Sequence, residues 1–237
     1  MVHGFMGGSA QWEAQRLAMG RVFKVITLDL PGFGLNAHLP AINTIEGFAD
    51  WVIAELGDRG VDKFNLLGHS MGGMIVQQIA QRIPDRIDKL ILYATGAVGV
   101  LPGRFETIAQ SKLRAKSDGP QATARRIAAT WFLDGSQSPA YEGCASIAEL
   151  AGLDAMLAGL DAMEAWSGED ALADLTCDTL VIWGDRDRTY RWAQIERLWK
   201  TIPNTSLSVF PNCAHAVHLE IPDPFNGVLV NYLAQGN

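Results

Sequence analysis

The chain has 237 residues, 48% of them apolar and 19% charged, with a formal net charge of −7. This balance excludes a disordered or fibrous chain, and the acidity excludes a nucleic-acid binder that tracks phosphates with a basic face. No apolar run approaches the ~20 residues that span a bilayer, the N-terminal stretch is broken by Arg16 and Arg21, and Cys144, Cys177 and Cys213 form neither a C-x-x-C pair nor a disulfide framework, so a reducing, cytoplasmic protein that binds neither membrane nor nucleic acid is expected.

The first element is a Gly-rich loop, "HGFMGG", preceded by only Met1 and Val2. Residues 21–30, "RVFKVITLDL", read as a strand, and the Pro-Gly stretch "DLPGFG" that ends it reads as a structural turn. Residues 44–60 place Ile45, Phe48, Ala49, Val52, Ile53 and Leu56 on one helical face, with Asn43 and Glu46 as a capping pair. Strand, helix and strand follow at 63–70, 71–84 and 88–95. Residues 97–172 are rich in Ala, Leu, Met and Arg and read as four helices with no strand. Strands at 178–184 and 205–211 flank a helix at 191–203, and a helix at 223–236 closes the chain. Near-continuous apolar strands alternating with helices specify an α/β fold, a mostly parallel sheet covered on both faces. Residues 1–96 and 173–237 then form the core, and 97–172 a helical lid over the carboxyl ends of the strands, where such sheets bind ligands.

Chemistry concentrates on those same ends. "GHSMGG" (68–73) falls between a strand and a helix, the context of a Gly-x-Ser-x-Gly nucleophile elbow. A serine hydroxyl needs a base to take its proton, and a histidine oriented by a carboxylate is the usual one. The loop after "TLVIWG" offers Asp185 and Asp187, and the loop after "LSVFP" offers His215 and His218. The chain order Ser, Asp, His suits this architecture. Cys213 and His215 lack a second ligand pair, so no metal is expected.

With "HGFMGG", "DLPGFG", "GHSMGGM", "WGDRD" and "AHAVHLEIPDPF", the chain resembles the α/β-hydrolase superfamily, in its branch with a helical cap, from residue 3 to residue 225. The resemblance implies a triad of Ser70, Asp187 (three residues after Gly184) and His215, which starts a His-x-x-x-x-Glu-x-Pro run. Asp185 becomes a turn residue paired with Arg186 or Arg188. The backbone N–H groups of Phe5 and Met71 become the oxyanion hole. His3, Trp131, Trp192 and His218 are pocket candidates. Arg125 and Arg126 are candidates for an acidic substrate, with a solvated face expected for at least one, and Met156 and Met163 are expected to pack a helix. No cofactor is implied. The expected reaction is hydrolysis of a small ester or lactone. Carbon–carbon hydrolysis of a vinylogous diketone from ring cleavage, or a related lyase reaction, is the alternative; a small-molecule receptor that keeps the triad is a third. A monomer or homodimer suits each. The resemblance also implies a central strand and further strands before His3. Two residues supply only a stub, so an N-terminally truncated start is expected, with the first strands missing.

Overall fold

Four apolar runs build one sheet. They are β1 (Phe64–His69), β2 (Ile87–Tyr93), β3 (Asp178–Gly184) and β4 (Thr205–Phe210), in the order β1-β2-β3-β4 with every pair parallel. The structure, a computed structural model, describes residues 1–234, so the end of the helix expected to 236 lies outside the described residues. Strand period two divides the apolar side chains between two cores. Leu66, Leu90, Leu92 and Val181 face one layer, and Leu67, Ile91, Tyr93, Leu180 and Ile182 face the other. Each such side chain, once buried, contributes about 1.5–3 kcal/mol.

The first layer contains α2 (Ile45–Asp58), α3 (Met71–Arg82) and α8 (Trp192–Thr201). The second contains α1 (Glu13–Met19) and α10 (Pro222–Ala234). Between β2 and β3 lie α4 (Ile108–Asp118), α5 (Pro120–Ala129), α6 (Tyr141–Ala148) and α7 (Leu153–Ala165), and a single antiparallel bridge between Val98 and Ser167 closes their base. A short α9 (Val217–Glu220) precedes α10. Among the described residues no single helix is long and apolar enough to cross a membrane.

Two local expectations are corrected. Thr44, not Asn43, caps α2: its hydroxyl accepts the Gly47 N–H at 3.0 Å. Residues 21–30 form no continuous strand. Leu28 makes one isolated parallel bridge to Val2, and Val2 bridges in turn to Gly68. A strand persists only where a neighbour supplies ladder bonds, and here only isolated bridges through Val2 join this segment to β1. The Val2 N–H donates to Leu67 O at 2.8 Å, the His69 N–H to Val2 O at 3.0 Å and the Leu28 N–H to Met1 O at 3.4 Å. The Met1 ammonium donates to Ile26 O at 2.7 Å, and burial lowers its pKa from 8.0 to about 5. Beside it Met1, Phe23, Ile26, Val52 and Leu66 line a cavity of ≈ 300 Å³.

Candidate active site

The turn from β1 to α3 sets Ser70 at φ 56° and ψ −119°, a region that non-glycine residues avoid. Its surroundings hold it there. The Ser70 N–H donates to Tyr93 O at 3.0 Å, and the Thr95 hydroxyl donates to Ser70 O at 2.7 Å. The turn packs so tightly that side chains are excluded on both sides. A Cβ on Gly68 would stand 2.2 Å from Gly72 O, and one on Gly72 would stand 2.4 Å from Val2 O. The elbow therefore depends on those glycines for close approach of backbone to backbone. The N-terminus of α3 follows directly, so its dipole favours negative charge beside Ser70.

Asp187 and His215 meet from two neighbouring loops. His215 Nδ1 lies 2.9 Å from Asp187 Oδ2, with both residues buried. Asp187 Oδ1 accepts the N–H groups of Thr189 at 2.7 Å and Tyr190 at 3.2 Å, which locks the carboxylate. With its Nδ1–H directed to the carboxylate, His215 keeps Nε2 as the free acceptor. Ser70 and His215 line one narrow cavity of ≈ 30 Å³, together with Phe5. The His215 carbonyl is itself fixed by two donors, the Tyr93 hydroxyl at 3.0 Å and His69 Nε2 at 3.1 Å.

The opening loop has its own pin. His3 Nε2 accepts the Leu30 N–H at 3.0 Å, so Nδ1 carries the proton and donates to Gly4 O at 2.7 Å. Burial lowers the His3 pKa to about 4, which keeps that tautomer neutral. Among the described residues no protein acceptor takes the N–H of Phe5 or of Met71. Both follow residues packed on one another, since a Cβ on Gly4 would come within 2.9 Å of Ser70 Cβ.

The remaining candidates divide. Trp131 and His218 line the cavity. His218 Nδ1 donates to the Tyr93 hydroxyl at 3.0 Å, while its Nε2 is buried with no protein partner, and burial lowers its pKa to about 3. His3 is corrected: it is fully buried behind the loop and not on the wall. Trp192 is corrected as well. It is 41% exposed and packs between Trp183 and Trp199, at 5.9 and 6.4 Å between ring centroids. Met156 packs in the core as expected, but Met163 reaches the cavity wall. Arg125 pairs with Glu142 and Glu149; Arg126 pairs with Glu106 through Nη1 while its Nε and Nη2 are buried without a protein partner, and neither arginine lines the cavity. Asp185 lies 3.6 Å from Arg186 Nε and accepts the Asn212 N–H at 2.7 Å, a turn residue rather than a partner of His215.

Tyr190 has no place among the sequence expectations, yet it is central. Its ring stacks on His215 at 5.8 Å and 12° between planes. Burial raises its phenol to about 12, opposed by the neighbouring side chains of Ser70 and Thr95 and by Arg104. Its position three residues after Asp187 was the available signal, because the loop that supplies the carboxylate must also pass the histidine.

Residues 1–222 match the family model for the alpha/beta hydrolase fold. A putative carbamate hydrolase RutD from Agrobacterium fabrum is 27% identical over 235 residues, which cover 97% of this chain and 90% of that one. A 2-hydroxy-6-oxo-6-phenylhexa-2,4-dienoate hydrolase from Burkholderia cepacia is 26% identical over 250 residues, covering 100% of this chain and 87% of the other. Among solved structures, a thermophilic esterase from Thermogutta terrifontis superposes with a TM-score of 0.88 at 28% identity, covering 98% of this chain and 87% of that one.

Proposed function

The chain belongs to the α/β-hydrolase fold family, and from that premise we propose that it is a serine hydrolase of small esters or lactones, with Ser70 as nucleophile, His215 as base and Asp187 as the carboxylate that orients it. One observation carries the reading: His215 is bonded at 2.9 Å to a carboxylate anchored by two further N–H groups, and it shares a cavity with a serine held at φ 56°.

In this mechanism His215 Nε2 takes the Ser70 proton as Oγ attacks the carbonyl carbon. The carbonyl oxygen becomes an anion between the N–H groups of Phe5 and Met71; losing one such donor typically costs ~3–4 kcal/mol in the transition state. Protonated His215 returns the proton to the departing alkoxide, leaving an acyl-enzyme. Water, deprotonated by the same nitrogen, then releases the acid and restores Ser70. Asp187 stays ionised throughout and stabilises the imidazolium. Residues 97–172 serve as the lid: the Ala216 N–H donates to Trp131 O at 2.9 Å, tying the His215 loop to the strap after α5. The cavity is too narrow for more than a small acyl group unless that wall yields.

A carbamate carbonyl presents the same electrophile, so the likeness to the RutD relative is compatible with this chemistry. Carbon–carbon hydrolysis of a ring-cleavage dienoate is the second reading, favoured by the 26% identity to the Burkholderia cepacia enzyme. The free thiols of Cys144, Cys177 and Cys213 suit a reducing compartment.

A panel of a short-chain p-nitrophenyl ester, an enol-lactone, an aryl carbamate and a ring-cleavage dienoate tests the reading, with wild type beside Ser70→Ala. Turnover of the ester or lactone, reduced by at least about 10³-fold in Ser70→Ala, is expected. Turnover of the dienoate only would select the second reading. No turnover, or equal rates in the two proteins, would overturn both.

A further inference from the structure

The cavity wall around Ser70 is built from apolar and aromatic groups such as Phe5, Leu101, Phe105, Ile127 and Trp131, with no Asp or Glu among its lining residues. It holds one fixed positive charge, Arg104, in the turn segment between β2 and α4. Arg188 and Arg191 bond only backbone carbonyls, of Leu133, Gly103 and Asp187, and do not line this cavity, whereas the cap arginines are matched to carboxylates. Arg125 faces Glu142 and Glu149, while Arg126 and Arg114 share Glu106. Arg104 has no carboxylate within ion-pair distance among the described residues. Among the described residues its guanidinium makes one hydrogen bond, Nη1 to Glu106 O at 3.4 Å, and the guanidinium carbon lies 4.9 Å from the Phe105 ring centroid. A guanidinium offers five N–H donors in a planar fork that fits a carboxylate in two-pronged fashion. Here nearly all of that fork is unused.

We propose that Arg104 is the anion-binding residue of this site, and that the substrate carries a carboxylate a few bonds from the carbonyl attacked by Ser70. Three features support the placement. Arg104 and Ser70 line the same cavity, so one small molecule touches both. Tyr190 lines the same cavity with its ring stacked on His215, beside both. Finally, burial lowers the Arg104 pKa from its usual value, with Tyr190 and Glu106 opposing. A half-buried guanidinium with no paired carboxylate gains a counter-charge from an arriving anion. The other basic groups on the wall do not compete: His69 and His218 are both held neutral, chiefly by burial. The narrow apolar remainder suits a short aliphatic spacer between carboxylate and carbonyl.

This inference rests on the serine-hydrolase reading for turnover but not for binding, and the test separates the two. The first measurement compares kcat/KM for p-nitrophenyl butyrate and p-nitrophenyl hemiglutarate, a neutral and a carboxylate-bearing ester of similar length. Wild type is expected to prefer the hemiglutarate. Arg104→Gln is expected to lose about 30-fold on it, mostly in KM, while changing the butyrate by less than about 3-fold. Arg104→Lys, which keeps the charge but not the fork, is expected to fall between. The second measurement is calorimetric binding of monomethyl glutarate to Ser70→Ala with and without Arg104→Gln, and the added change is expected to remove binding. Equal losses on both esters, no preference in wild type, or binding that survives Arg104→Gln would overturn the inference with Ser70 chemistry intact. Absence of all turnover, with Arg104-dependent binding retained, would overturn the hydrolase reading and leave the anion site standing.

Discussion

Ser70 at φ 56°, Asp187 with three donors and His215 with a fixed carbonyl are each over-determined by neighbours that do no chemistry. That support makes the choice between the two aspartates testable. Asp187→Asn keeps the shape of the side chain but no longer favours the Nδ1–H tautomer of His215. A fall in kcat of about 10³–10⁴-fold on the preferred ester is expected, with unchanged thermal stability. Asp185→Asn removes only a turn contact to the Asn212 N–H, and kcat is expected to stay within about 3-fold of wild type. Reversed results from the two variants would reassign the carboxylate. Of the residues at this scale, Ser70 and the loops offering Asp185 or Asp187 and His215 or His218 were legible from their places after strands, and the choice of Asp187 and His215 came from the family resemblance. Tyr190, His69 and Tyr93 were not, because they act through rings and carbonyls that only packing brings together.

The elements that carry these residues are joined by a few polar ties. Glu220, at the end of α9, accepts the Leu133 N–H at 2.6 Å on Oε1 and the Ala214 N–H at 2.7 Å on Oε2. One carboxylate therefore fastens the strap after α5 to the loop before His215. Glu220→Ala leaves both donors without that acceptor, and a loss of about 2–4 kcal/mol is expected in chemical denaturation. A change under about 0.5 kcal/mol would show that water replaces the tie. The β1–α3 elbow depends instead on backbone contact. Gly72→Ala would drive a Cβ into Val2 O, so a protein that fails to fold, or melts far lower, is expected on thermal denaturation. The longer core helices were legible to within about two residues, since period 3.6 is a local signal, whereas the short α1 and α9 had no such signal and the α2 cap fell on Thr44. The strand expected at 21–30 failed because strand formation needs a partner, which no local signal reports.

For the whole molecule, stability is coupled to pH through groups that the fold keeps neutral. His3, His218 and the Met1 amine have folded pKa values of about 4, about 3 and about 5, below their usual 6.5, 6.5 and 8.0. The unfolded chain binds more protons in those intervals, so stability is fully present above pH 8 and falls with pH, most steeply from 6.5 towards 4. For His3 the effect is about 3 kcal/mol. A melting temperature that drops steadily from pH 8 to pH 5 is expected, and a flat profile would contradict the buried neutral histidines. The slot beside Met1 belongs to the same scale. Four or five apolar residues added ahead of Met1 would replace the buried ammonium with a peptide N–H and fill part of the ≈ 300 Å³ cavity. A rise of at least about 5 °C in melting temperature is expected, and equal melts would show that the slot takes no strand.

The sequence by itself determined the α/β alternation, the positions of the elbow, the aspartate loop and the histidine loop, and the helical character of residues 97–172. These rest on periodicity and on offsets within short segments. Only the tertiary structure decided that His3 pins a loop instead of lining a pocket, that Trp192 faces solvent, that Arg125 and Arg126 are matched with carboxylates while Arg104 is not, and that Val2 bridges two partners. The physical reason is common to all four. Whether a polar or aromatic side chain is buried, paired or open depends on which distant segment lies against it.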